Sequence, residues 1–209
     1  MATDSSPTPT QAARPVQPSG WRGALQVYFS PPALRLFFLG FSAGLPLLLV
    51  LGTLSFRLRE AGIDRATIGF LSWVGLAYAF KWAWAPLVDR LPLPFLHRCL
   101  GRRRSWLLLS QIAIISGLLG MAATDPVSDL SPLVLWAVVV ALGSATQDIA
   151  LDAYRIESAE ARHQAALAAT YQTGYRLAMI WAGAGVLWLA AGAQTATGYQ
   201  HQAWAWAYA

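Results

Sequence analysis

Uncharged stretches about as long as a bilayer is thick recur along this chain, and they constrain its fold more than any other feature. A helix needs about 20 apolar residues to cross the hydrocarbon core. Between Arg35 and Arg57 lie 21 uncharged residues, the 23 positions from Ala66 to Val88 carry only Lys81, and Ser105 to Thr124 gives 20 without a charge. Leu130 to Gln147 adds 18, ended by Asp148, and the stretch from Gln164 to Ala193 holds Arg176 alone. The terminal run AWAWAYA, Ala203 to Ala209, reads as the start of a sixth span. Composition agrees: 56% of the 209 residues are hydrophobic, 12% are charged, and mean hydropathy is +0.44. Soluble domains carry about 25% charge. So little charge cannot cover a water-facing surface, which argues against a soluble enzyme and against a disordered chain. The sequence predicts an all-α polytopic membrane protein with five complete transmembrane helices, about 36–56, 66–86, 105–124, 130–153 and 165–192, and a truncated sixth at 203–209.

Ahead of these spans, residues 1–33 hold six of the twelve prolines among Ser, Thr and Gln, and read as a disordered tail. No compact basic region or small-residue cleavage site marks a signal peptide. Boundary residues support the spans, with Asp64, Ser105 and Ser131 or Asp129 as helix caps. Five arginines (Arg90, Arg98, Arg102, Arg103, Arg104) crowd the second loop, with Arg14 and Arg22 in the tail and Arg155 and Arg162 in the fourth loop. The opposite side holds Arg57, Arg59 and Arg65. This bias places the N-terminus and the arginine loop in the cytoplasm. It also accounts for the net charge of +5, so no nucleic-acid partner is expected. The lone Cys99 lies in the same loop and reads as a spare thiol. His97, His163 and His201 fall in loops without zinc-type spacing, so no metal or cofactor is expected.

Four charges lie where apolar residues are expected: Lys81, Asp148, Asp152 and Arg176. A charge near a membrane helix's middle costs about 2.5–3.5 kcal/mol on insertion scales, so each either snorkels to a headgroup region or has work to do. Side chains tilt toward a helix N-terminus, which turns Lys81 and Asp148 away from the near, cytoplasmic face. With Pro86 and Tyr154 taken as the membrane boundaries, each sits roughly 8 Å deep at ~1.5 Å per residue. Arg176 and Asp152 are better placed to snorkel. Asp148 and Asp152, at i and i+4, stack on one helix face, with Ser144 above and Arg155 below. Two carboxylates that close cannot both ionise cheaply in a low dielectric, which suits a proton carrier. Neutralised by Lys81, Arg155 or Arg176, the same cluster would instead lock an inner gate, and both readings stand.

Other features are less specific. Gly40, Gly44, Pro46 and Gly52 permit a bend or close helix approach. Most of the ten tryptophans sit near run ends, as an interfacial belt requires. Gln147 and Gln172 are polar inside apolar runs and suit either substrate or helix packing.

The stretches GFSAGLP, TIGFLSWVGLAYAFKWAWAPLVDR, GRRRSWLLLSQ, SATQDIALDAYR and GYRLAMIWAG, covering most of 36–185, resemble the AmpG-type muropeptide permeases of the major facilitator superfamily, relatives of acetyl-CoA transporters. APLVDR and GRRR are similar to that superfamily's inner-loop signature, with Asp89, Arg90, Arg102, Arg103 and Arg104 in matching places and an insert, LPLPFLHRCL, between the halves. The resemblance implies an inner-membrane permease that imports anhydro-muropeptides in symport with protons for peptidoglycan recycling. It implies no enzyme. Its fold would be the N-terminal half, 34–209, of a transporter built from two six-helix halves around a midplane site, so the C-terminal half is an expected partner. We expect an N-terminal fragment or truncated product that does not transport alone. Site expectations follow: Asp148, Asp152 and Lys81 for proton coupling, and Arg176, Gln147, Tyr175, Tyr78 and Gly44 for substrate. The alternatives are an acetyl-CoA-type or other anion carrier, and a non-transporting assembly subunit.

Overall fold

The computed structural model describes residues 27–158 and 164–209. The expectations for the first 26 residues of the tail, with Arg14 and Arg22, and for Arg162 and His163, lie outside the described residues. Among the described residues every regular element is helical: α1 Pro31–Glu60, α2 Arg65–Leu71, α3 Leu76–Ala79, α4 Ala85–Arg90, α5 Leu96–Leu100, α6 Arg102–Ala123, α7 Leu130–Ser158, α8 Gln164–Ala193 and α9 His201–Tyr208. Four of these, α1, α6, α7 and α8, are long and apolar enough to cross a membrane. The chain is a multi-pass membrane protein.

α1 begins earlier than the tail boundary predicted. Pro31 and Pro32 occupy its first turn, where an amide has no intrahelical partner to lose, and Ser30 caps it by accepting from the Ala33 amide at 3.4 Å. Pro46 interrupts the ladder within α1, and a π-helical turn follows over Leu49–Thr53. α8 carries a matching π-helical turn, Trp181–Gly185. The Thr53 hydroxyl donates to the Ala182 carbonyl at 2.6 Å and ties the two widened turns together. Below them the helices approach closely through glycine. A Cβ on Gly40 or Gly44 would overlap the carbonyl of Tyr171 or Tyr175, and one on Gly174 the carbonyl of Phe37.

The stretch expected as one helix over 66–86 is segmented. Asp64 caps α2 as predicted, accepting from the Thr67 amide at 2.9 Å, and the Thr67 hydroxyl and amide together hold its carboxyl below the usual range. Tight 3-10 turns then occupy Ser72–Gly75 and Lys81–Ala83, on either side of α3. The second break lies between Phe80 and Trp84, which sit at ψ 5° and 0° on either side of the Lys81–Ala83 turn. Pro86, which offers no amide, falls in the first turn of the helix that restarts after the break. Pro86 does not end the segment, because at the start of α4 it is tolerated and the helix runs on to Arg90. α7 likewise continues past Tyr154 to Ser158.

Two apolar clusters pack the bundle. One gathers Leu54, Leu58, Met121, Leu133, Ala137, Val140 and Trp204; the other gathers Leu36, Val88, Trp106, Ile149, Leu151, Leu167 and Tyr171. Along α7 the first cluster ends at Val140 and the second starts at Ile149. Ser144, Gln147 and Asp148 lie between them.

Candidate functional site

The interval between the clusters is a polar layer. Lys81, on the 3-10 turn beside Pro86, extends its ammonium to 3.8 Å from the Asp148 carboxylate. That spacing makes an ion pair but not a hydrogen bond. The side chains are 38% and 17% exposed, so the carboxylate is the more enclosed partner. Asp148 lies ten residues before the end of α7, about 15 Å along the helix at ~1.5 Å per residue.

Five buried side-chain polar atoms among the described residues have no partner in hydrogen-bond geometry, and four belong to this layer: the Tyr78 hydroxyl and Ser144 Oγ, which lie close to one another, Gln147 Oε1 and Asp148 Oδ1. Leaving such an atom unpaired costs about 1–3 kcal/mol. Four together, beside one ammonium, form an arrangement that can receive the hydroxyls, amides or proton of something else. Gln147 is fully buried and anchored on one side only, its Nε2 donating to Ser42 Oγ at 3.3 Å. Trp84 Nε1 donates to Thr146 Oγ1 at 3.3 Å, joining the turn that carries Lys81 to α7.

α8 supplies the aromatic side. The Tyr171 and Tyr175 rings lie 6.3 Å apart and within electrostatic range of Asp148. Arg155 stands over Tyr171 at 5.6 Å and pairs with Asp152 at 3.4 Å. The stacked carboxylates are therefore served by different cations, Lys81 for Asp148 and Arg155 for Asp152, and Asp152 is the exposed one. Arg176 follows Tyr175 but its side chain is exposed. Gly44 is buried at the α1–α8 crossing, against backbone.

At the end of the bundle beyond Asp152, Arg103 bridges Asp89 at 2.5 Å and Glu157 at 3.0 Å. The insert does not disrupt this pairing. It folds as α5, bounded by positive φ at Phe95 and Gly101, and the Trp106 indole donates to the Leu91 carbonyl at 2.9 Å. Arg90, Arg102 and Arg104 are exposed and meet no carboxylate among the described residues.

Sequence reading missed Glu157, which becomes available only because α7 is long. It also missed Arg57, taken for a loop charge. Arg57 is 0% exposed and donates to the Met121 and Thr124 carbonyls at 2.6 Å each, approaches His201 Nδ1 at 3.3 Å, and lies 5.5 Å over the Tyr208 ring. The signal was present: Val50, Leu54, Arg57 and Leu58 fall at i, i+4, i+7 and i+8, the spacing of a core-facing stripe.

Residues 33–129 match the family model described as Acetyl-coenzyme A transporter 1. Over 166 residues, 79% of the chain, it is 43% identical to the Anhydromuropeptide permease of Escherichia coli (strain K12), of which the match covers 33%. It is 39% identical to Putative transporter AmpG 4 of Rickettsia felis over 75% of the chain and 37% of that relative. An uncharacterized protein of Haemophilus influenzae is 39% identical over 78% of the chain and 37% of its own length. The chain thus spans about a third of the length of the curated relatives it matches. The named relatives are permeases and transporters, not enzymes.

Proposed function

We propose that this chain, which belongs with the AmpG-type permeases, supplies the N-terminal six-helix half of a proton-coupled permease of the major facilitator superfamily that takes anhydro-muropeptides across the bacterial inner membrane. In this reading α2, α3 and α4 together act as the second of five complete spans, and α9 begins the sixth. The N-terminus and the Asp89–Arg103–Glu157 network face the cytoplasm. The observation that carries the reading is the group of unpaired polar atoms around the Lys81–Asp148 pair, enclosed between two apolar clusters in a chain whose relatives are named as permeases.

Asp148 is the proton-carrying group and Lys81 its counter-ion. Asp152 tunes the pair from the exposed side. Tyr78 and Gln147 offer hydrogen bonds to the sugar and peptide groups of the cargo, Tyr175 offers a stacking face, and Arg176 a cation for a carboxylate. Gly44 contributes by letting α8 come close enough to place Tyr175. Asp89 and Arg103 hold the inner ends together, with Arg90, Arg102 and Arg104 completing that basic face.

An uptake competition tests the substrate. The chain, joined to the part of the Escherichia coli permease beyond its matching region, is placed in vesicles with labelled anhydro-muropeptide. Competition by unlabelled muropeptide and not by acetyl-CoA supports the proposal, and the reverse favours the anion-carrier reading that the family model's description raises. Orientation is read separately: Cys99 is exposed and is expected to resist an impermeant thiol reagent in intact spheroplasts, while a cysteine placed at Ser128 reacts.

A further inference from the structure

Next to the Asp89–Arg103–Glu157 network, α1, α5, α6 and α7 line an open groove outside the polar layer, which shares only Arg104 with the basic face described above. Its walls are Leu39, Leu107 and Leu108, and its polar groups are Arg104, Gln111 and Tyr154. Arg104 is exposed, and none of the three polar side chains has a hydrogen bond or ion pair among the described residues. The groove follows α6 from its third residue, Arg104, to Gln111, about 10 Å at ~1.5 Å per residue. α6 is one of the membrane-length helices and the groove begins at its first turn, so in a spanning α6 it would run from the headgroup level toward the acyl chains.

Charge balance around it is one-sided. Asp89 and Glu157, the carboxylates of the adjoining network, are both engaged by Arg103. Arg98, Arg102 and Arg104 are exposed within seven residues of chain and meet no carboxylate among the described residues. A cationic mouth that opens onto a leucine-lined trough matches one kind of molecule, an anion joined to hydrocarbon. A free anion would leave the leucines uncovered, and a neutral lipid would leave Arg104 unpaired.

We propose that this groove is a binding site for an anionic phospholipid, with its phosphodiester on Arg104, a glycerol or ester oxygen on Gln111 or Tyr154, and one acyl chain along Leu39, Leu107 and Leu108. It is separate from the polar layer and does not depend on which solute the complete permease carries. Bound lipid would fill the space between α1, α6 and α7 at the end where the arginine loop attaches.

The test uses the full chain in mixed detergent–lipid micelles with phosphatidylglycerol bearing a photoreactive group on its acyl chain, followed by peptide mapping. Crosslinks are expected on α6 between 105 and 111 and around Tyr154. Arg104→Gln should lower their yield about fivefold, as expected for one arginine at an anionic surface, and Arg104→Lys should retain most of it. The proposal is overturned if a phosphatidylcholine probe labels the same peptides equally, if labelling spreads over the outer faces of α6 and α8 alike, or if Arg104→Gln leaves it unchanged. Displacement of the probe by inorganic phosphate alone would reduce the site to a free-anion site and would overturn the lipid assignment too. Leu108→Gln, which keeps every charge, should weaken the phosphatidylglycerol signal; no change there contradicts the acyl-chain trough.

Discussion

Arg57 and Asp148 are both charges enclosed among membrane-length helices, and the molecule treats them in opposite ways. Arg57 closes one end. Its guanidinium takes the last carbonyls of α6, the His201 ring and the Tyr208 face, while Glu60 accepts from Trp204 at 2.8 Å and Tyr199 donates to Asp125 at 3.1 Å close by. Among the buried side-chain polar atoms of the described residues at this end, only Arg57 Nε lacks a partner. Asp148 has a single distant cation and is surrounded by other polar atoms that also lack partners. A charge that only holds helices together should be saturated, because every missing bond costs stability. One that works by changing partner or protonation cannot be. On the proposed function, the contrast separates a structural end from a working middle.

The contrast makes graded demands on variants. Arg57→Met removes the charge and both carbonyl bonds and should cost about 3–5 kcal/mol, read as lost monodisperse protein on heating in detergent; full retention would show that this end is not a lock. Gly174→Leu drives a side chain into the Phe37 backbone, which cannot give way as a flexible side chain would. The loss should be about 1–3 kcal/mol in the same assay, and a wild-type melting profile would break the close-approach account of α1 and α8. Asp152→Asn loses only an exposed pair with Arg155 and should change stability by less than about 1 kcal/mol. If it proves as damaging as Arg57→Met, the division between saturated and unsaturated charges is wrong.

The spans were legible because a bilayer forbids charge over about 20 residues of helix, and that single rule finds α1, α6, α7 and α8. The Lys81–Asp148 pairing was legible for the same reason, since an isolated charge in such a run needs a partner. The rule is silent about backbone. It did not reveal that two 3-10 turns would segment the second span, because uncharged residues look alike whether helical or in a 3-10 turn. It misassigned Arg57, because counting loop arginines ignores which face of the helix each occupies. Arg176 shows a further limit: depth can be read from position along a helix, but the direction its side chain takes depends on what lies opposite.

Arg57 gives the control for the role of Asp148. In proteoliposomes holding the chain joined to the remaining part of a relative, an imposed proton gradient should drive labelled anhydro-muropeptide above its external concentration. Asp148→Asn keeps the shape but removes the charge, so Lys81 loses its ion-pair partner and some stability goes with it; uptake is therefore compared per folded transporter. The substitution should abolish that uphill accumulation while counterflow exchange of labelled for unlabelled substrate continues. Accumulation by Asp148→Asn at the wild-type level with an unchanged pH dependence would contradict the account and leave Asp148 and Lys81 as a second structural lock, like the one at Arg57.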